Sequence, residues 1–406
     1  MTASTRTPLT GRRRQVLAAL LAGSSLAALL VACGGGGGDT PATGGGTATA
    51  QSFATGPISG LGSVIVNGVR FDDSAARVED EDGAAHAARE LKLGMMVEIQ
   101  AGKIDDNTAR ASASLIRFGS ELVGPVASID AAAQTLRVLD QTIEVKPTTV
   151  FDDGLAGFAA IAVGQVLEVH AQFDAATGHY VATRIEREDS VAAFRLRGLV
   201  SALDTAAKTF KIGDAVINYA GVAAADLPAA FANGQRVRVR LQTAQVNGQW
   251  VAIGIRTGVR KVDDIGDARL RGLVTAFTSP QAFEVQGIVV DASGATFEPN
   301  AAAVKLGALV EVRGTASAGK IVASRVKVRN ERDDDLQRVE LHGDVSALDT
   351  TAKTFMLREL KVDYSKVVEW KDGAAADVAN GKKLEVKGVW SADRKTLIAA
   401  VIEFES

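Results

Sequence analysis

Cysteine occurs once in the 406 residues, at Cys33. One thiol closes no intramolecular disulfide and builds no thiolate cluster, so neither staples nor cysteine-ligated zinc hold this chain together. Histidine is nearly as scarce. His86, His170, His179 and His342 are the four present, none shows a ligand spacing such as H-E-x-x-H, and they read as ordinary strand or surface residues. Aromatic residues make up 5%, too few to supply stacking platforms for nucleic acid. A G-x-S-x-G elbow and a phosphate loop are both missing. Asp152 and Asp153 are adjacent, and neighbours on one strand face opposite ways, so they do not converge as paired catalytic carboxylates. The expectation is a protein that is not an enzyme, with no catalytic residues, no cofactor and no metal.

Hydrophobic residues reach 47% against 23% charged, a balance that builds folded cores. The 41 glycines and the recurrent Ala, Val and Thr favour many small β-rich units over one large aromatic core.

The first 33 residues form a leader. Arg12, Arg13 and Arg14 make a positive start, and the uncharged stretch from Val16 to Ala32 has the length of a secretory apolar region. A retained membrane helix is the alternative, and it is short for one. Leu30, Val31, Ala32 and Cys33 resemble the lipobox of bacterial lipoproteins. That resemblance implies a signal peptide, a diacylglyceryl group on Cys33 and membrane lipid as a partner. Gly34, in place of an aspartate, then leaves sorting to the periplasmic face of the outer membrane open. Arg13, Arg14, Gln15, Val16 and Leu17 also loosely resemble a twin-arginine export signal, though an ordinary basic start explains them equally well. Four of the 45 basic residues and no acids lie in this leader, so the remainder carries 41 basic against 48 acidic residues. An acidic body repels polyanions. From Gly34 to Gln51 the chain is too poor in apolar residues to order itself, and reads as a flexible tether with an r.m.s. span of about 20–25 Å.

The body repeats. RLRGLVSALDTAAKTFKI from Arg195, RLRGLVTAFTSPQAFEV from Arg269 and ELHGDVSALDTTAKTFML from Glu340 are copies of one unit. Gly124, Gly198, Gly272 and Gly343 hold one place in successive copies, 74, 74 and 71 residues apart, with Gly56 as a degenerate first member. A second anchor begins at Gly94, Gly164, Gly234, Gly307 and Gly381, each opening a strand such as GQRVRVR. The third is a small residue three before an aliphatic one: Ala113 and Ile116, Ala182 and Ile185, Ala252 and Ile255, Ala323 and Val326, Ala399 and Ile402.

Alternation marks strands at both ends of each copy, and an Ala-rich middle such as VAAADLPAAFA suits one or two helical turns. The unit reads β-β-β-α-β-β, with six short strands as the alternative. In QRVRVRLQ the alternation turns Val237, Val239 and Leu241 inward and the arginines to solvent. The order predicts an all-β chain with short helices: a tandem array of five small OB-like β-barrel domains. The boundaries are 1–33 for the signal peptide, 34–52 for the tether, then barrels at 53–119, 120–189, 190–264, 265–334 and 335–406. Charged joints between them predict an elongated string of separate beads.

The G-x-V-x-x-L-D opening, the G-x-x-V-x-V-x-G strand and the closing Ala-x-x-Ile resemble the bacterial domain of unknown function family DUF5666, most clearly in the third, fourth and fifth copies. The first copy departs at its opening, GPISGLGSVIVNG. The resemblance implies small β-barrels in exported proteins, often in tandem, and no established activity.

Acidic clusters complete the inventory. Glu79, Asp80, Glu81 and Asp82 read as a solvated turn, since no glutamate is spaced to close a calcium loop. Glu186, Glu188 and Asp189, then Asp263, Asp264 and Asp267, then Asp333, Asp334 and Asp335, fall at the joints and read as solubilising linkers, with Ca²⁺ binding there as the alternative. The function expected is a non-enzymatic envelope lipoprotein that binds or scaffolds an envelope protein or glycan, with no nucleic-acid partner. A periplasmic oligosaccharide-binding protein using Trp250, Trp370 and Trp390 is the alternative, and an enzyme assembled between copies the remotest.

Overall fold

Every copy closes on itself in the same strand order. In the third, Phe194–Leu199 resumes past Val200 as Ser201–Asp204, which hairpins with Thr209–Ile212 and then Ala215–Asn218. Trp250–Thr257 lies parallel to Ala215–Asn218 and antiparallel to Arg236–Leu241, which returns to pair with Phe194–Leu199. This 1-2-3-5-4-1 circuit is that of a five-stranded OB-type barrel, and the other four copies repeat it. The computed structural model describes residues 51–405 apart from 153, 259–261, 331–338, 359 and 392–394. Cys33, the signal peptide, nearly all of the tether, Asp153 and Asp333 to Asp335 therefore lie outside the described residues.

The Ala-rich middle is smaller than the pattern suggested. It forms a single 3-10 turn, Ala224–Asp226 in the third copy. Leu227 precedes Pro228, which disfavours helical backbone at Leu227 and stops the turn there.

The three repeated anchors each have a structural cause. A Cβ on Gly198 would lie 2.3 Å from Ile212, on Gly124 2.5 Å from Leu139, and on Gly56 2.7 Å from Asn67. The turn between the second and third strands folds down onto the first strand at this glycine. The second anchor turns with positive φ, from +78° to +90°, a region that disfavours side chains with a Cβ. The third marks a bulge. Residues three apart on a regular strand face opposite ways, yet Ala182 and Ile185 are both buried. The pairing jumps from His170↔Arg184 to Ala171↔Ala182, leaving Thr183 unpaired, and the same jump occurs in all five barrels.

The barrels are not separate beads, and the expectation of an elongated string is overturned. Ser52–Pro57 of the first barrel runs parallel to Ile265–Ser279 of the fourth, while Gly60–Leu61 runs parallel to Val339–Asp349 of the fifth. Val123 and Leu122 of the second barrel pair with Arg195 and Leu196 of the third. Cores merge accordingly: the first and fifth barrels share one hydrophobic cluster, the second and third another, and Phe53 joins that of the fourth. The described residues fall in one compact unit. Open strand edges of small barrels are satisfied by pairing with one another, which short charged joints do not prevent.

Candidate functional site

The outward faces of the barrels hold the titratable groups. Arg195, Arg197, Arg236, Arg238 and Arg240 alternate with aliphatic residues on two paired strands of the third barrel. Their expected exposure holds for Arg240 alone among those of QRVRVRLQ. Arg236, Arg238 and Arg197 are buried, at 5%, 6% and 3% exposure. The acids that cover them come from the first two barrels. Glu81 pairs with Arg197 and, at 3.3 Å, with Arg238; Asp82 pairs with Arg238 and Arg256; Glu121 lies 3.1 Å from Arg236 and 3.5 Å from Arg197. Arg197 also donates to the Gly258 carbonyl at 2.7 Å. The acidic turn read as solvated is therefore a docking element. Glu79 within it is buried against Arg117. Gly119 makes room for the contact, since a Cβ there would lie 2.2 Å from the Glu81 carboxyl carbon.

His342 sits in the second cluster. Its Nε2 is 2.9 Å from Glu340 and 3.8 Å from Glu385, and its Nδ1 is 2.8 Å from Glu405. Burial opposes the charged imidazolium, but the Glu340, Glu405 and Glu385 carboxylates outweigh it and raise the pKa. Glu340, His342 and Glu385 place ligand atoms within 4.8 Å of one another, a spacing that suits a metal ion. Two cations already occupy that position. Arg70 of the first barrel forks onto Glu385 at 2.8 and 3.3 Å and also pairs with Glu340, while Lys387 lies 2.7 Å from Glu385. Burial works against the Glu385 carboxylate, yet Lys387 and Arg70 hold its pKa down to about 2. A metal would have to displace Arg70 and deprotonate His342. The arrangement is a tie between the first and fifth barrels, and Gly62 lets them meet: its Cβ would lie 2.1 Å from that of His342.

The remaining histidines do not converge with it. His170 is buried in the second barrel, with Nδ1 against the Gly119 carbonyl at 3.1 Å and the Met96 amide at 3.4 Å. Burial lowers its pKa from the ordinary histidine value. Beside it lie Glu168 and Glu188 on neighbouring strands. Burial, followed by the Glu168 charge, pushes Glu188 up to about 7. His86 bonds Glu90 at 2.8 Å on the surface of the first barrel, and His179 opens the strand His179–Glu188.

Five of the acids at the described joints are engaged by protein donors. Glu186 pairs with Arg184, Asp189 with Arg187 at 3.1 Å, and Asp267 with Arg269; Asp263 accepts from Gln100 and Asp264 from the Ala318 amide. Asp152 accepts from the Arg187 amide at 3.2 Å.

Two cavities open between barrels. One, of about 600 Å³, lies where the first, second and fifth meet, and Trp390 is on its wall. The other, of about 750 Å³, lies where the first, second and fourth meet. Trp250 is 7% exposed and its indole N–H donates to Asp140 of the second barrel at 2.8 Å, which removes it from the stacking set. Trp370 packs edge-on to Tyr364 and against Phe404.

Three of the barrels match one family model. It is described as Domain of unknown function (DUF5666), and the matched residues are 123–186, 271–327 and 342–403. These are the second, fourth and fifth copies. The third, expected among the clearest DUF5666 copies, lies outside the matched stretches. No curated protein matches the chain. Among solved structures the chain is similar to drosophila Unr CSD456, at 14% identity over 52% of this chain and 98% of that one, with a TM-score of 0.16.

Proposed function

We propose that the protein is a non-enzymatic envelope lipoprotein, held to the periplasmic face of the outer membrane through acylated Cys33, whose DUF5666 barrels bind or scaffold another envelope component. The use made of the charged side chains carries this reading. Arg197, Arg236, Arg238, Glu81 and Glu121 join barrels to one another, as do Arg70 and Glu385, with His342 beside that pair held by Glu340 and Glu405 of its own barrel, and these groups are engaged in ion pairs that leave no free acid, base or nucleophile among them. A body assembled in this way presents surface rather than chemistry. The lipobox-like sequence and the Gly-rich tether support display of that body away from a membrane.

An oligosaccharide-binding role has less support, because Trp250 is buried. Nucleic acid is disfavoured by the acids that cover the arginine face of the third barrel. Cys33→Ser tests the anchoring: the mature protein is expected to move from the membrane to the soluble fraction. Undiminished membrane retention of the variant refutes the reading. Pull-down from intact envelopes identifies the partner.

A further inference from the structure

The cavity of about 600 Å³ has a composition unlike the rest of the chain. Arg89, Lys92, Arg184, Arg358 and Lys395 line it against two acids, Asp152 and Glu186, in a chain of net charge −3. Glu186 is engaged by Arg184, and Asp152 accepts from the Arg187 amide through Oδ2 while its Oδ1 has no partner among the described residues. Arg184 is itself held, by Glu186 and by the Leu93 carbonyl at 3.2 Å. Arg89 and Arg358 are exposed, and Arg358 donates from Nε to the His342 carbonyl at 2.7 Å, which fixes its stem. Between these cations the wall is aliphatic and aromatic: Leu61, Leu93, Leu155, Leu360, Phe151 and Trp390. The Trp390 indole N–H has no acceptor among the described residues.

An excess of cations around an apolar wall selects a ligand with both characters. A neutral sugar needs several acceptors for its hydroxyls, and here Glu186 is taken and Asp152 offers one unpartnered oxygen. An inorganic anion leaves the leucines and Trp390 unused. The volume lies within the range of about 300–1,000 Å³ usual for small-molecule pockets. We propose that this cavity binds an amphiphilic anion: a molecule with one carboxylate or phosphate head and an aliphatic body. The head meets Arg89 and Arg358 at the mouth, where arginine forks suit either anion. The body packs against Leu360, Phe151 and Trp390, where burial of apolar surface favours it. The ligand would touch three barrels at once and so stabilise their junction by mass action.

The proposal rests on the body being a binding protein and is independent of the lipid anchor. The test is a fluorescence titration of the full chain with decanoate, decyl phosphate, decanol and acetate, with Trp390→Phe identifying the responding indole. Saturable binding of decanoate or decyl phosphate is expected, and the tighter of the two identifies the head. Loss of a charged head contact corresponds to at least a ~10-fold weakening, so decanol and the variant Arg89→Glu/Arg358→Glu should each fall by that much. Lys305→Glu, in the other cavity, should change affinity less than about twofold. Equal binding of decanol, equal binding of acetate, or no saturable response to either anion below about 1 mM overturns the proposal. If the titration fails while envelope pull-down still yields a partner, the binding reading stands and only this site falls.

Discussion

Arg197→Met removes the side chain that joins three barrels. In the folded protein Arg197 is 3% exposed, and burial alone opposes its charge, but Glu81 and Glu121 hold it protonated. Three contacts disappear with it: the pair with Glu81, the 3.5 Å pair with Glu121 and the 2.7 Å bond to the Gly258 carbonyl. Neither acid is wholly stranded, because Glu121 keeps Arg236 at 3.1 Å and Glu81 keeps Arg238 at 3.3 Å. The two charge-assisted bonds lost across the junction, at about 1.5–3 kcal/mol each, amount to about 3–6 kcal/mol. Native-state hydrogen exchange measures it at the Arg197 amide, which bonds the Glu121 carbonyl at 2.9 Å across the second and third barrels. Adding Glu81→Gln to Arg197→Met should recover part of the loss, since it removes a buried charge that has lost a partner. A change below about 1 kcal/mol in the single variant, or no recovery in the double, refutes the argument that these ion pairs hold the barrels together.

Two further outcomes follow from the geometry. His342 has a raised folded pKa, so its contribution to stability is fully present below the unfolded value of about 6.5 and is lost as pH rises through the folded value. Thermal unfolding from pH 6 to 9 should show that decline in the wild type and a flatter profile in His342→Gln; parallel profiles would remove His342 from the tie between the first and fifth barrels. Gly198→Ala should cost about 1–3 kcal/mol by overpacking, because its Cβ meets Ile212 at 2.3 Å and the Tyr180 hydroxyl of the second barrel at 2.9 Å. Gly254→Ala, which meets nothing within 4 Å, is the control, and equal denaturant midpoints for the two would refute the close-approach account.

The barrel was legible because its signals are local. Strand alternation in QRVRVRLQ, the glycine of GLV and GDV, and the Ala-x-x-Ile spacing each report backbone geometry within a few residues, and five copies report it five times. The bulge was written as plainly as the strands, since only a displaced residue lets Ala182 and Ile185 share a face. Of the one or two helical turns expected over VAAADLPAAFA, the structure keeps a single 3-10 turn, because Pro228 disfavours helical backbone at Leu227.

Assembly was not legible, because it depends on pairs that are distant in sequence. Glu81 looks like any turn acid until Arg197 is placed beside it, and Arg70 like any strand arginine until Glu385 forks onto it. Trp250 and Trp390 are alike as letters, yet one is buried against a neighbouring barrel and the other lines a cavity. The sequence by itself determined the repeat, its strand order, and the expectation of a leader ending at Cys33, because those signals lie in contiguous residues. Only the tertiary structure decided that the charged faces are interfaces and that two cavities open between barrels. Alternation states which way a side chain points, and whether it then meets water or another barrel is set by chain segments that no local pattern encodes.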